Sequence, residues 1–169
     1  MYLKYILGGN FKEAINPENS LGTHGHLAME YSKFLKTIWL EHLPVVSPTN
    51  IKDIISKFNS EFKGSDQHDS QEFLSCILDG LHEDLNVARK KSKDEIDKIR
   101  KEHSRQEKEE ENGNFALQTL QNNYWKRYID INYSIIVTTF QGQYMSSLTC
   151  TRCNKVKKHN NNNRKYKYI

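Results

Sequence analysis

The run 62–85, FKGSDQHDSQEFLSCILDGLHEDL, constrains this chain more than any other stretch. Phe73, Ile77, Leu81 and Leu85 recur every fourth residue, and Leu74 and Leu78 widen the stripe, so one broad helix face must be packed. Gly64 and Ser65 break whatever precedes it. Asp69 is placed to accept from the orphan backbone N–H groups of the new helix, and Glu72, three residues on, completes a capping-box pattern. Losing such a cap costs about 1 kcal/mol. The polar run from Asp66 to Glu72 exceeds what one cap needs, and from composition alone it reads as a solvated helix start.

The block Asp69-Ser70-Gln71-Glu72-Phe73, continued by Leu78-Asp79-Gly80-Leu81-His82-Glu83-Asp84-Leu85-Asn86, resembles the central block of the ubiquitin-specific proteases. The resemblance extends over most of residues 2–156. Asn19-Ser20-Leu21-Gly22 is similar to the family's Asn-Pro-Leu-Gly turn, and Trp125 stands at the family-like distance before Ser134-Ile135-Ile136. Phe140-Gln141-Gly142 with Leu148-Thr149-Cys150-Thr151-Arg152-Cys153 resembles the opening of the family's fingers subdomain, whereas His68 departs from its usual Gln. The resemblance implies an α+β fold of the papain-like cysteine protease kind, here partial: a helical thumb plus the start of the β fingers. It divides the chain into thumb helices (1–87), a charged insertion (88–113), a continuation into a fingers strand and CxxC (114–158), and a disordered low-complexity tail (159–169).

The same resemblance implies thiol-dependent hydrolysis of the isopeptide bond after ubiquitin's C-terminal glycine, with ubiquitin or ubiquitinated proteins as partners. The family's acidic residues at this block face the channel for ubiquitin's extended, arginine-bearing tail, and they map onto Asp69 and Glu72. A carboxylate suits that task, because it pairs with Arg by charge-assisted hydrogen bonds and holds an extended peptide in register. Since a capping box uses the same two side chains, the expectation is a shared role, with Asp69 as the substrate contact and Glu72 as the structural member.

The reacting groups are expected elsewhere. The family's cysteine block and histidine box have no counterpart in these 169 residues, and the resemblance puts the first just upstream of Met1 and the second well downstream of Ile169. No catalytic residue is therefore assigned, and the chain alone is expected to be inactive. A ubiquitin-binding remnant and a helical interaction scaffold are the alternatives. Cys76 falls on the apolar face of the central helix and reads as a small core residue rather than a nucleophile. The seven histidines, His24, His26, His42, His68, His82, His103 and His159, read as surface or helix-face residues.

Cys150 and Cys153 have the spacing that lets two thiolates of one turn reach the same Zn²⁺. Structural zinc takes four such ligands. This pair either holds zinc weakly, with His159, or stays as two reduced thiols, and no cofactor is required for the chemistry. One CxxC and an odd cysteine are a poor disulfide framework and fit a reducing, intracellular compartment. No apolar run approaches a bilayer span of roughly 18 residues, so no membrane partner is expected. The formal charge of +4 is modest and gives no case for nucleic acid.

Along the chain, residues 1–15 carry helix-spaced apolar side chains broken by Gly8-Gly9, as at the end of an element rather than its start. Residues 16–22 read as a turn-rich loop. A long amphipathic helix is expected from about Thr23 to Leu43, then a shorter one capped by Ser47 with Pro48 at its first position. The segment 88–113 interleaves Lys, Arg, Asp and Glu around Ile96 and Ile99. It has too little apolar surface to join a core and sustains no apolar heptad, although its charges can support a solvated helix. Trp125 to Phe140 is ambiguous between helix and strand, and Tyr144, Ser146, Leu148 and Cys150 alternate onto one face of a strand. The Asn-, Lys- and Tyr-rich end suggests a gene-model boundary near Lys158.

Overall fold

In the computed structural model the chain is described over residues 2–41, 43–113, 115–143, 145–154 and 156–160, the stretches 145–148 and 156–160 by backbone alone. Seven helices follow one another in these residues: α1 (Tyr2–Leu7), α2 (His26–Leu40), α3 (Thr49–Phe58), α4 (Ser70–Asp84), α5 (Lys93–Asn112), α6 (Leu117–Ile131) and α7 (Ile135–Phe140). A ribbon, β1 (Met145–Thr149) antiparallel to β2 (Val156–Asn160), closes the described chain. The chain divides into two compact units, residues 1–90 with 133–139, and residues 91–132 with 140–169.

The α+β expectation is corrected by this architecture. Helix dominates, and among the described residues the two short strands pair only with each other, so no sheet layer is built against the helices. Trp125 to Phe140, ambiguous by pattern, lies in α6 and α7 and supplies no strand. Tyr144, one of the alternating residues, and 161–169 of the tail lie outside the described residues, while His159 and Asn160 belong to β2.

In the first unit α2 packs on α3 and α4, and Ile6, Phe11, Leu27, Ile55, Leu81, Leu85, Ile136 and Val137 form the fully buried core. Burying each such side chain contributes roughly 1.5–3 kcal/mol. Gly80 allows α2 and α4 to close on one another: a Cβ there would stand 2.6 Å from Leu27 Cδ2. The long helix starts at His26 rather than Thr23, because His24 (φ 58°) and Gly25 (φ 85°) turn the chain through the left-handed region. Ser47 does not cap α3. Pro48 holds the cap position without a side-chain bond, and the Ser47 hydroxyl instead shares a 2.6 Å hydrogen bond with Thr49 Oγ1.

In the second unit the charged segment is a helix with a full capping box, Ser92 and Glu95. On α5 the less exposed Ile96, Ile99, His103, Gln106 and Glu110 fall at spacings of three and four, while α6 is at least half-buried along most of 120–131, with Arg127 buried. This is an antiparallel helical hairpin whose seam turns polar toward its tip. Arg127 makes a two-pronged bond to Glu110, 2.8 Å on each prong, with its guanidinium 4.5 Å from the centre of the Tyr124 ring. His103 Nε2 meets Asp130 at 3.0 Å. The segment's pairing was hidden from the sequence because the heptad positions are occupied by polar side chains that satisfy one another.

Candidate functional site at the start of α4

Helix α4 begins where the sequence placed it, but its cap works differently from the expectation. Asp69 Oδ1 accepts from Gln71 N at 2.6 Å and from Glu72 N at 3.3 Å. The reciprocal bond from Glu72 back to the cap residue is not formed, in contrast to the complete box at Ser92 and Glu95. Asp69 is thus the structural member. The Glu72 carboxylate lies outside the cap, and both residues are exposed. Both backbone donors converge on one oxygen of Asp69, which leaves Oδ2 outside the cap as well.

A cavity of about 470 Å³ opens between α2, α3 and the start of α4, lined there by Ser70 and Phe73 and by neither Asp69 nor Glu72. Phe62, Phe73, Phe34 and Ile51 supply its apolar wall, and Asp66, His68 and Ser70 its polar edge. Phe62 anchors the wall, with His68 and Phe73 edge-on to its ring at 5.3 and 5.2 Å. The volume falls within the usual range for a ligand pocket. An extended chain laid here would have apolar surface under it, with Asp66 and Lys52 as the charged groups at its edge.

The other end of α4 carries residues that pattern reasoning missed. Asp84 is fully buried, and its carboxylate accepts from Thr23 N (2.6 Å), Thr23 Oγ1 (2.7 Å) and Ala28 N (3.1 Å). It therefore caps α2 from a different helix. Asn19 Nδ2 donates to Glu83 O and Oε2, and Asn16 N to Asp84 O, which fixes the 16–22 loop on α4. Asn86 Oδ1 accepts from Ala88 N and Tyr133 N, both 3.1 Å, while Val87 N reaches Tyr133 O. His82 is buried, its Nδ1 2.8 Å from Ser134 Oγ. One signal was available: an acid in the last turn of a helix opposes the helix dipole, so Asp84 needed donors from elsewhere.

Cys76 is buried as expected, and desolvation, with Asp79 nearby, pushes its thiol above the ordinary value. Cys150 and Cys153 share the exposed turn after β1, in the second unit. Hydrogen bonds to Cys150 from the backbone of Cys153 and of Arg152, and from the Cys153 thiol, hold its thiol below the ordinary value. Amides aimed at a sulfur suit a metal-binding turn, yet among the described residues no three Cys, His, Asp or Glu side chains can converge on one ion. The structure therefore brings Asp69 and Glu72 together at the first turn of α4, and Cys150 and Cys153 together in the non-helical turn after β1.

A family model described as ubiquitin carboxyl-terminal hydrolase matches residues 3–162. The chain is 36% identical to ubiquitin carboxyl-terminal hydrolase 8 of Arabidopsis thaliana, over 88% of this chain and 16% of that protein. It is 39% identical to a probable ubiquitin carboxyl-terminal hydrolase 1 of Schizosaccharomyces pombe, over 89% of this chain and 17% of that protein. With ubiquitin carboxyl-terminal hydrolase 15 of Homo sapiens it shares 33% identity, over 90% of this chain and 14% of that protein. The chain thus spans less than a fifth of the length of each of these relatives.

Proposed function

Because the chain belongs to the ubiquitin carboxyl-terminal hydrolase family, we propose that it is the ubiquitin-tail-binding part of an intracellular cysteine deubiquitinase. The observation that supports this reading is the start of α4, where the Glu72 carboxylate and Asp69 Oδ2 lie outside the cap on the helix whose Ser70 and Phe73 line an apolar groove. Glu72 is the principal contact for an arginine of the incoming tail. Asp69 adds its outer oxygen while its inner one holds the helix start. The parent reaction cleaves the isopeptide bond after ubiquitin's last glycine by a cysteine thiolate, and the tail-binding acids hold the peptide in register for that attack.

By itself the 169-residue chain binds without turnover: Cys76 is buried with its thiol held above the ordinary value, and we read the exposed Cys150 and Cys153 as metal ligands rather than nucleophiles. Cys150 and Cys153 contribute two ligands to a structural zinc site and take no part in catalysis. Titrating isotope-labelled ubiquitin with the chain tests the binding reading. Resonances of the ubiquitin C-terminal tail are expected to shift saturably, and Glu72→Lys to weaken binding about tenfold or more, in line with reversal of a charge pair. Shifts that Glu72→Lys leaves unchanged would sink the assignment. Hydrolysis of a ubiquitin–fluorophore conjugate by the chain alone would overturn the claim that it lacks turnover.

A further inference from the structure

A second cavity, about 610 Å³, lies in the first unit between the 20–26 turn, the start of α2 and the end of α3. Its floor is apolar: Met29, which is 45% exposed, with the half-buried Ile54 and Phe58. Around it stand Lys57, His24 and His26, all exposed. The Lys57 ammonium makes no ion pair among the described residues. His24 is held in place, its Nδ1 2.6 Å from Pro17 O, so that nitrogen carries the proton and donates, and the opposite ring edge remains available. His24 also sits in the left-handed region, at φ 58°.

Glu30 is the one acid among the lining residues, and it is already engaged, by Asn50 Nδ2 at 3.0 Å and Lys33 at 3.9 Å. Lys57 is therefore the one lining ammonium, it has no carboxylate partner among the described residues, and His24 and His26 stand beside it as polar groups. An apolar floor with such a rim is complementary to an apolar side chain flanked by carboxylates, and too open to enclose a small metabolite. We infer that this cavity is a docking site for an acidic peptide segment of a partner protein, its aromatic or aliphatic side chain seated on Met29, Ile54 and Phe58 and its carboxylates facing Lys57 and His26. The site shares no lining residue with the groove at the start of α4, so it stands whether or not the deubiquitinase reading does.

The test uses the isotope-labelled full chain and two probe peptides, N-acetylated and C-amidated, Asp-Glu-Phe-Asp-Asp and its charge-reversed counterpart Lys-Lys-Phe-Lys-Lys. The acidic peptide is expected to shift resonances of His24, His26, Met29, Ile54 and Lys57 saturably, and the basic peptide to leave them in place. Lys57→Glu should weaken the acidic peptide roughly tenfold. Lys57 is an exposed residue of the last turn of α3, so the variant is expected to keep the parent spectrum elsewhere, and Lys57→Gln serves as a milder second variant with an intermediate loss. Absence of saturable shifts, equal response to both peptides, or affinity unchanged in both variants would overturn the proposal.

Discussion

At the scale of single residues, the strongest commitments are polar groups that the hydrophobic pattern does not reveal. Asp84 is a carboxylate without solvent, tolerable only because three donors surround it. Asp84→Ala removes the acceptor and leaves the Thr23 and Ala28 amides buried without a partner, each worth about 1–3 kcal/mol. A loss of about 3 kcal/mol is expected, read as a lower urea midpoint, with Asp84→Asn recovering part of it. The cysteines make a second prediction. Iodoacetamide at neutral pH should modify Cys150 first, because it is exposed and its thiolate is favoured by neighbouring donors, while Cys76 reacts only on unfolding. Peptide mapping by mass over time decides the order. Pattern reasoning reached Cys76 and Asp69 because each follows from its place on one helix. It missed Asp84 and the absence of a reciprocal bond from Glu72 to the α4 cap, because these depend on where a distant turn or a side-chain rotamer puts an oxygen.

Among elements, two junctions define the geometry. A Cβ on Gly22 would stand 2.7 Å from Asp84 Oδ1 and 3.2 Å from the backbone of residues 83 and 84, so the turn presses directly on α4. Gly22→Ala is expected to lower stability by about 1–3 kcal/mol, the usual cost of overpacking, measured by thermal or urea unfolding. The α5–α6 hairpin is held differently. Hydrogen bonds from Arg127, and from Asn123, keep the Glu110 carboxyl below the usual carboxylate value against the opposing effect of burial. A depressed folded-state pKa contributes stability that is complete above the unfolded value of about 4.3 and is lost as pH falls through the lower, folded value. Helical circular dichroism should therefore fall in that acid range, and Glu110→Gln should start lower and lose this acid step. The helices themselves were legible from spacing and punctuation. Their pairing here was not, since an apolar heptad is a visible signal and a polar seam of Glu110, Arg127, His103 and Asp130 is not.

For the molecule as a whole, the family resemblance was legible from one block of residues, yet it carried an α+β fold that the described chain, mostly helix with one ribbon, does not display. The division into two units was only partly visible. Charge alternation marked the start of the hairpin, but nothing in the pattern showed that Asn86 and Val87 bind Tyr133 at its far end. Replacing residues 92–131 by a short Gly/Ser linker should leave the first unit folded, with amide spectra of residues 2–85 close to those of the parent; their collapse would show that the hairpin is integral to that core. The clasp at Asn86 also bears on the order of assembly. It joins residues 47 positions apart, and an unstructured loop of that length makes such a contact slow to form. A helix the length of α5 forms in about a microsecond or less. Early pairing of α5 with α6 draws the two ends of the excursion together, so that the first unit closes across a much shorter effective loop. The segment 91–132 thereby acts as an internal guide for folding the first unit.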